Sequence, residues 1–174
     1  MAPVPRRIVL TGSESTGKTT LAEALAGHFG APWVPEFSRA YAESKRGVLT
    51  AADVEPIARG QAAAEQAALA GRDGGLVVFD TDLVSTLVYA RHYYRTAPSW
   101  IEATIRRYPP SIYLLCHIDL AWVADGIRDR PASRIAMHSA FQDALLEFGF
   151  KAAEIQGTGP ARLASAIDAV NRSI

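Results

Sequence analysis

Short apolar runs alternate along the chain with longer segments in which apolar residues recur every three or four positions. Five of the short runs have the length and composition of buried strands, at residues 7–12, 31–35, 76–80, 111–117 and 150–157. The helical pattern is clearest after the first run, where Leu21, Leu25 and Phe29 recur until Gly30 ends the segment. Strands that alternate with helices favour an α/β fold, here a five-stranded parallel sheet with helices on both faces.

The first strand leads into a glycine-rich loop. This loop reads Gly12-Ser13-Glu14-Ser15-Thr16-Gly17-Lys18-Thr19 and matches G-x-x-x-x-G-K-[ST] at every defined position. In that pattern the glycines let backbone N–H groups surround an anion, and the following helix N-terminus adds partial positive charge. The lysine reaches the β- and γ-phosphates, and the threonine hydroxyl is placed to bind Mg²⁺. We predict a P-loop NTPase fold in which these residues and Thr20 bind ATP.

Length and composition fit one domain of this kind. The 174 residues suffice for a full core but not for a second independent domain, so we expect residues 1–174 to be a single P-loop domain. Eighteen basic residues balance eighteen acidic ones, so no net field attracts nucleic acid or an anionic membrane. No apolar run reaches membrane-spanning length or has the features of an export signal, which favours the cytoplasm.

Two acids follow the third predicted strand. Asp80 ends it, and Asp82 comes after Thr81. Mg²⁺ bound between the β- and γ-phosphates needs a carboxylate from a neighbouring strand, so Asp80 or Asp82 is expected to serve metal or substrate. The alternative is a helix N-cap, and Asp82 is the better candidate for that role.

Glu36 and Arg39 follow the second predicted strand, at the sheet edge where ligands bind in α/β proteins. A phosphotransferase places groups there that hold the acceptor hydroxyl and the developing phosphate charge. The alternative is a surface salt bridge between the two side chains.

A charged stretch at 125–134 interrupts a helical pattern that spans 121–148 and contains a glycine and a proline. We interpret it as a lid segment. Arg128 and Arg134 are placed to close over the triphosphate and neutralise charge in the transition state. The alternative is a run of solvated charges.

The remaining side chains with chemical potential form no pattern. Cys116 lies in an apolar run and is expected in the core. The four histidines, at positions 28, 92, 117 and 138, are far apart and predict no metal cluster. Tyr89 and Tyr93, at helical spacing, and Trp100 are expected in the core rather than at a ligand.

Four segments together resemble the ribosylnicotinamide kinase domain of the NadR family. They are the loop at 12–20, Pro35-Glu36-Phe37-Ser38-Arg39, Asp80-Thr81-Asp82, and the run from Asp119 to Arg128 that contains Trp122, Asp125 and Gly126. The match follows the family order over nearly the whole chain. The loop is shared by many ATPases, whereas the P-E-[aromatic]-x-R, D-x-D and W-x-x-D-G-x-R runs are more selective.

The resemblance implies ATP-dependent phosphorylation of nicotinamide riboside at its 5′-hydroxyl, which gives nicotinamide mononucleotide. It implies that ATP and Mg²⁺ are the cofactors, bound by Lys18 and Thr19 with Asp80 as a further metal ligand. Glu36, Arg39, Asp80 and Asp82 would line the acceptor site, and Arg128 and Arg134 would belong to the lid. The catalytic residues would be Lys18, Glu36, Asp80 and Arg128.

The chain also departs from the family. Full-length members begin with a nucleotidyltransferase domain that carries an H-x-G-H type signature, whereas this sequence starts at the kinase strand, so we expect neither adenylyltransferase activity nor DNA-binding regulation. Some members place a tryptophan just before the glutamate, where this chain has Pro35. We therefore expect Trp33 or Phe37 to stack on the acceptor ring, with Tyr41 as a further aromatic face for its positive charge.

Two other functions remain open: a kinase for another nucleoside or small hydroxyl compound, and an ATPase module that drives a partner. A GTPase-like switch is disfavoured, because guanine readers carry N-K-x-D after a strand and this chain reads Cys116-His117-Ile118-Asp119 there. The expected partner is a small-molecule substrate, and no sequence feature predicts an oligomeric state.

Overall fold

Five parallel strands form one sheet in a computed structural model that describes residues 4–123 and 131–174. The strands are β1 (Arg6–Thr11), β2 (Trp33–Val34), β3 (Leu76–Asp80), β4 (Ser111–Cys116) and β5 (Ala152–Ile155). Their order across the sheet is β2-β3-β1-β4-β5, and every neighbouring pair is parallel. The predicted five-stranded parallel sheet is therefore confirmed.

Helices cover both faces of this sheet. They are α1 (Lys18–Phe29), α2 (Phe37–Lys45), α3 (Val54–Leu69), α4 (Leu83–Tyr94), α5 (Ser99–Ile105), α6 (Arg134–Glu147) and α7 (Gly159–Asn171), with 3₁₀ turns at Ala51–Asp53 and Pro131–Ser133. One apolar core lies between the sheet and helices α1 and α7. The other lies between the sheet and helices α3, α4, α5 and α6. Cys116 is fully buried, as predicted. Within the described ranges, no helix has the length and apolar character needed to cross a membrane.

Helix α2 was not expected from the sequence, which reads as a polar and aromatic connection. The helix is held through Phe37, whose ring occupies the space above Gly60 of α3. A Cβ at Gly60 would lie only 2.1 Å from that ring. The Phe37 N–H also donates to Gln61 Oε1 at 3.2 Å. A long-range contact with a glycine therefore fixes the segment that carries Glu36.

A buried charge cluster surrounds the Arg7 side chain of β1. Arg7 is fully buried, with Nη2 3.1 Å from Glu65 Oε2 and 3.2 Å from Asp82 Oδ2. The Tyr108 hydroxyl donates to Glu65 Oε2 at 2.6 Å, and its ring lies 3.9 Å from the guanidinium carbon of Arg7. Burial, and secondly the Asp82 carboxylate, raise the pKa of Glu65 to about 7 despite the attraction of Arg7. One guanidinium thus faces two carboxyl groups, and burial favours the protonated form of Glu65.

This cluster predicts a pH dependence of stability. The pKa of Glu65 rises from 4.5 to about 7 on folding, so the folded state binds this proton more tightly than the unfolded chain does. The resulting stabilisation is fully present below pH 4.5 and is lost as the pH rises through about 7. We expect the free energy of unfolding to fall across that window by up to about 3 kcal/mol from this group. Glu65→Gln should remove this part of the slope, measured by urea unfolding at about pH 5 and about pH 8. Glu23→Gln, at an exposed position of α1, is the control, and equal slopes in Glu65→Gln and wild type would contradict the assignment.

Candidate active site

The glycine-rich loop connects β1 to α1 and is shaped by two close approaches. Gly12 has a φ of 132°, and a Cβ there would lie 2.8 Å from the carbonyl oxygen of Cys116 in β4. Gly17 caps α1 with a φ of 73°, and a Cβ there would lie 2.9 Å from the Leu120 side chain. Both positions therefore require glycine, for backbone conformation and for space.

The loop closes on itself around Ser13. The Ser13 carbonyl oxygen accepts hydrogen bonds from Thr16 Oγ1 at 2.8 Å and from Lys18 Nζ at 2.7 Å. The Lys18 ammonium group is thereby held over the loop at the N-terminus of α1. This combination of a lysine, backbone N–H groups and a helix N-terminus suits a phosphate chain. The cavity above it is lined by Glu14, Ser15, Thr16, Gly17, Lys18, Thr19, Thr20, Glu36, Arg39, Leu120, Ala121 and Val123.

The end of β3 lies beside this loop, because Leu10 of β1 pairs with Asp80. Thr19 Oγ1 donates to Asp80 Oδ2 at 2.5 Å, and Asp80 Oδ1 is buried without a hydrogen-bond partner among the described residues. Burial raises the pKa of Asp80, the Thr19 hydroxyl opposes this, and the Glu36 carboxylate adds to it. A hydroxyl and a carboxylate with a spare oxygen are ligands that Mg²⁺ prefers. Thr19 and Asp80, predicted as the metal ligands, fit that ion.

Glu36 and Arg39 come from the turn before α2 and from its first turn. Glu36 is 8% exposed, and its Oε1 accepts a hydrogen bond from the Ser38 hydroxyl at 2.7 Å. Arg39 lines the phosphate-loop cavity, whereas Glu36 lines both this cavity and a second one. The structure therefore brings Glu36 to the boundary between two adjoining cavities.

The second cavity, which we call the acceptor cavity, lies between α3, α4 and the segment before α3. Its lining is Glu36, Ser38, Val48, Leu49, Thr50, Val54, Ile57, Gln61, Thr81, Ser85, Thr86, Tyr89, Ala90, Tyr93 and Tyr94. The Tyr89 and Tyr93 rings are stacked, with centroids 6.0 Å apart and planes 19° apart. The prediction that these tyrosines lie in the core is confirmed for Tyr89, which packs against the core and also lines this cavity, as Tyr93 does. For Trp100, which packs against the core, it is confirmed.

Two further residues line the acceptor cavity, of which Tyr89 also contacts the loop, and sequence reasoning missed both roles. The Tyr89 hydroxyl donates to Oε2 of Glu14, a loop residue that is 2% exposed, at 3.0 Å. Thr81 adopts a left-handed backbone with a φ of 72°, and its buried Oγ1 has no hydrogen-bond partner in the described part of the chain. Such strain in a residue other than glycine is typical of functional sites.

The aromatic residues predicted to stack on an acceptor lie elsewhere. Trp33 packs against the core that holds α1 and α7. Phe37 packs on Gly60, and the Tyr41 hydroxyl donates to Asp53 Oδ1 at 3.0 Å. None of the three lines the acceptor cavity or the phosphate-loop cavity. The aromatic residues that do line the acceptor cavity are Tyr89, Tyr93 and Tyr94, and stacking of Trp33, Phe37 or Tyr41 on an acceptor stays a prediction.

Asp82 was predicted to bind substrate, and the structure assigns it to the core instead. Its carboxylate is fully buried, with Oδ1 accepting from the Val84 N–H at 3.0 Å and Oδ2 accepting from Tyr113 and Arg7. The N-cap alternative is therefore confirmed for α4. Asp80 is the acid that reaches the phosphate loop.

Arg134 is the described arginine of the predicted lid. Its Nη2 donates to the carbonyl oxygens of Leu120 at 3.0 Å and of Ser15 at 3.3 Å. The first residue of α6 thus contacts the back of the phosphate loop. Arg128, the other predicted lid arginine, lies outside the described residues.

Arg162 of α7 supports the phosphate loop through a hydrogen bond, and no sequence pattern predicted this role. It is 4% exposed, and its Nη2 donates to the Thr16 carbonyl oxygen at 2.8 Å. Its Nη1 donates to Asp119 Oδ1 and to the Gly157 carbonyl oxygen, both at 2.9 Å. Asp119 also accepts from the Gly157 N–H at 2.7 Å. One guanidinium group therefore ties the phosphate loop to the loops after β4 and β5.

Comparison with known proteins places the chain in a family. A model described as an AAA domain, AAA_28, matches residues 7–162. The chain belongs to this family. It is 32% identical over 147 residues to the trifunctional NAD biosynthesis/regulator protein NadR of Salmonella typhimurium, and 31% identical to that of Escherichia coli K12. These matches cover 82% of the chain and 35% of each relative, so the chain corresponds to about a third of their length.

Solved structures give the same result. A NadR protein crystallised in complex with NR superposes with a TM-score of 0.82 at 28% identity, covering 97% of this chain and 49% of that one. A NadR complex with NAD and AMP-PNP gives a TM-score of 0.81 at the same identity and coverage. A thymidylate kinase from Ehrlichia chaffeensis, at 14% identity and a TM-score of 0.68, shares the fold alone. The resemblance to the NadR kinase domain is confirmed.

We expect Arg162 to hold the phosphate loop in its binding conformation. Arg162→Ala removes the charge-assisted hydrogen bond to Thr16, a class worth about 1.5–3 kcal/mol. The affinity for a non-hydrolysable ATP analogue should fall by about tenfold or more, measured by calorimetry where circular dichroism shows a folded variant. Arg172→Ala, at an exposed position after the same helix, is the matched control. Unchanged affinity in folded Arg162→Ala would show that the loop keeps its shape without this contact.

Proposed function

We propose that this chain transfers the γ-phosphoryl group of ATP to the 5′-hydroxyl of nicotinamide riboside. The observation that carries the proposal is the acceptor cavity, which adjoins the phosphate loop at Glu36 and is lined by stacked tyrosines. The relationship to NadR, whose solved complexes contain NR or AMP-PNP, supports the same assignment.

On the nucleotide side, the residues of the loop provide the binding groups. Backbone N–H groups of 12–20 and the Lys18 ammonium surround the phosphates. Thr19 and Asp80 would hold Mg²⁺, which supplies charge neutralisation between the β- and γ-phosphates when bound. Arg134 donates to the carbonyl oxygens of Ser15 in the loop and of Leu120 beside it, and so holds the two segments together. Arg39 adds positive charge at the cavity mouth.

On the acceptor side, Glu36 is the group placed to handle the proton. A carboxylate at the boundary of both cavities lies where an acceptor hydroxyl would meet the γ-phosphate. It orients that hydroxyl and accepts its proton as the bond to phosphorus forms, so that the alkoxide charge does not build up. The Ser38 hydroxyl holds Oε1 of Glu36 in place for this task.

The lining of the acceptor cavity favours a cationic ring. Nicotinamide riboside carries a permanent positive charge, whereas ordinary nucleosides are neutral. The Tyr89 and Tyr93 rings offer π faces, and the carboxylates of Glu14 and Glu36 add negative charge nearby. An aromatic face over a desolvated cation is worth on the order of 2 kcal/mol.

Glu36→Gln tests the role of the carboxylate. We expect kcat for nicotinamide mononucleotide formation to fall by at least about 100-fold, the lower range for general-base catalysis, with little change in the KM for ATP. Glu43→Gln, at an exposed position of the same helix, is the control and should keep wild-type kinetics. An unchanged kcat in Glu36→Gln would remove this residue from the acceptor site.

The choice of acceptor tests the proposal itself. With saturating Mg-ATP, we expect kcat/KM for nicotinamide riboside to exceed that for its uncharged reduced form and for cytidine by roughly thirtyfold, the value of one cation–π contact. Tyr93→Leu should reduce this preference, whereas Tyr94→Phe, which keeps the ring, should preserve it. A better rate with cytidine or a deoxynucleoside would assign another nucleoside kinase activity. ATP hydrolysis unaffected by any acceptor would instead support a partner-driving ATPase.

A further inference from the structure

Two of the four histidines meet near the ends of β4 and β5, together with a glutamate. His117 follows β4, His138 lies in α6 and Glu154 lies in β5. Each offers one ligand atom, and these three atoms all lie within 4.8 Å of one another. The sequence predicts no histidine cluster, because positions 117, 138 and 154 are separated along the chain. That prediction is corrected by the packing of α6 against the sheet edge.

The side chains of the cluster contact one another, and a neighbouring residue orients the carboxylate. The two imidazole rings have centroids 5.0 Å apart at 75°, and His138 Nε2 lies 3.6 Å from Glu154 Oε1. Gln142 Nε2 donates to the same carboxylate oxygen at 2.7 Å and so orients it. Outer hydrogen bonds of this kind are typical of metal-binding carboxylates.

The imidazoles also have unsatisfied nitrogen atoms. Nδ1 of His117 and Nδ1 of His138 are both buried without a hydrogen-bond partner among the described residues, and His138 as a whole is only 8% exposed. Most buried polar atoms in folded proteins have a partner. Both rings of the cluster therefore carry a buried nitrogen that the described residues leave unsatisfied, in addition to the Nε2 of His138 that faces Glu154.

We propose that His117, His138 and Glu154 bind a transition-metal ion, with Zn²⁺ the best match. Two imidazoles and a carboxylate form a ligand set that suits Zn²⁺ and leaves a fourth tetrahedral position for water. With bonds of about 2.0–2.1 Å, tetrahedral ligand atoms lie about 3.3 Å apart, so the widest pair must close by about 1.5 Å. The Glu154 side chain is 39% exposed and has room to move. Mg²⁺ prefers oxygen ligands and would not compete here.

The position of this site connects it with the phosphate loop. His138 lies one helical turn after Arg134, whose guanidinium contacts Ser15 and Leu120. An ion bound to His117, His138 and Glu154 would join α6 to the ends of β4 and β5. It would therefore fix the helix that presents Arg134 to the loop.

The test is Zn²⁺ titration of tag-free, chelator-treated protein by calorimetry in excess Mg²⁺. Wild type should bind one Zn²⁺ that His138→Gln and Glu154→Gln each weaken by at least about tenfold. His28→Ala, which removes an exposed histidine of α1, should bind as wild type does. Glu154→Gln changes a partly exposed side chain, so it remains informative if His138→Gln fails to fold.

Imidazole NMR resonances provide a readout that is independent of enzyme activity. The ring signals of His117 and His138 should shift on Zn²⁺ addition, while those of His28 and His92 stay in place. Equal Zn²⁺ affinity in wild type, His138→Gln and Glu154→Gln would overturn the proposal. Shifts confined to His28 or His92, or no binding at all, would overturn it as well. None of these results depends on which acceptor the chain phosphorylates.

Discussion

The phosphate loop is held between two strands, and the rest of the site depends on that constraint. β1 pairs with β3 on one side and with β4 on the other, so the loop after β1 must pass between their ends. Asp80 meets Thr19 on the β3 side, and Gly12 fits against Cys116 on the β4 side. Arg162 then fixes the Thr16 carbonyl oxygen. A loop formed in this way binds an anion without a large ordering cost.

Asp80 and Asp82 have different environments because of the residue between them. In a regular strand, residues two apart lie on the same face of the sheet. The left-handed conformation of Thr81 ends that alternation. Asp80 therefore reaches the loop, while Asp82 lies on the opposite side with Arg7 and Tyr113 and caps α4. The D-x-D run thus combines one acid that contacts the phosphate loop with one structural acid.

The two cavities are linked through groups on different elements. Glu36 lies between them because α2 is held on α3 through the contact of Phe37 with Gly60. Glu14 of the loop accepts the hydrogen bond of Tyr89 from α4. An acceptor bound against Tyr89 would therefore lie one hydrogen bond from the phosphate loop. This arrangement suits transfer between two ligands, since proximity and orientation supply much of the catalytic effect.

The sequence by itself determined the elements whose signals are local. These signals reflect backbone conformation or periodicity over a few residues. They are the glycine and lysine spacing of the loop, the apolar runs of the strands and the acid that ends β3. Those signals sufficed for the sheet, the loop and Thr19 with Asp80. They did not predict α2, whose register depends on a distant glycine.

Only the tertiary structure decided which distant side chains meet. Thr16 and Arg162 are 146 residues apart, and His117 and His138 come together only because α6 packs on the sheet edge. Which aromatic side chains line the acceptor cavity was equally undetermined by spacing, since Trp33, Tyr89 and Tyr93 lie far apart along the chain. Packing assigned Trp33 to the core beneath α1 and the tyrosines to the acceptor cavity. Local sequence encodes backbone preference, whereas the face that a side chain finally contacts is set by the burial of the whole apolar surface.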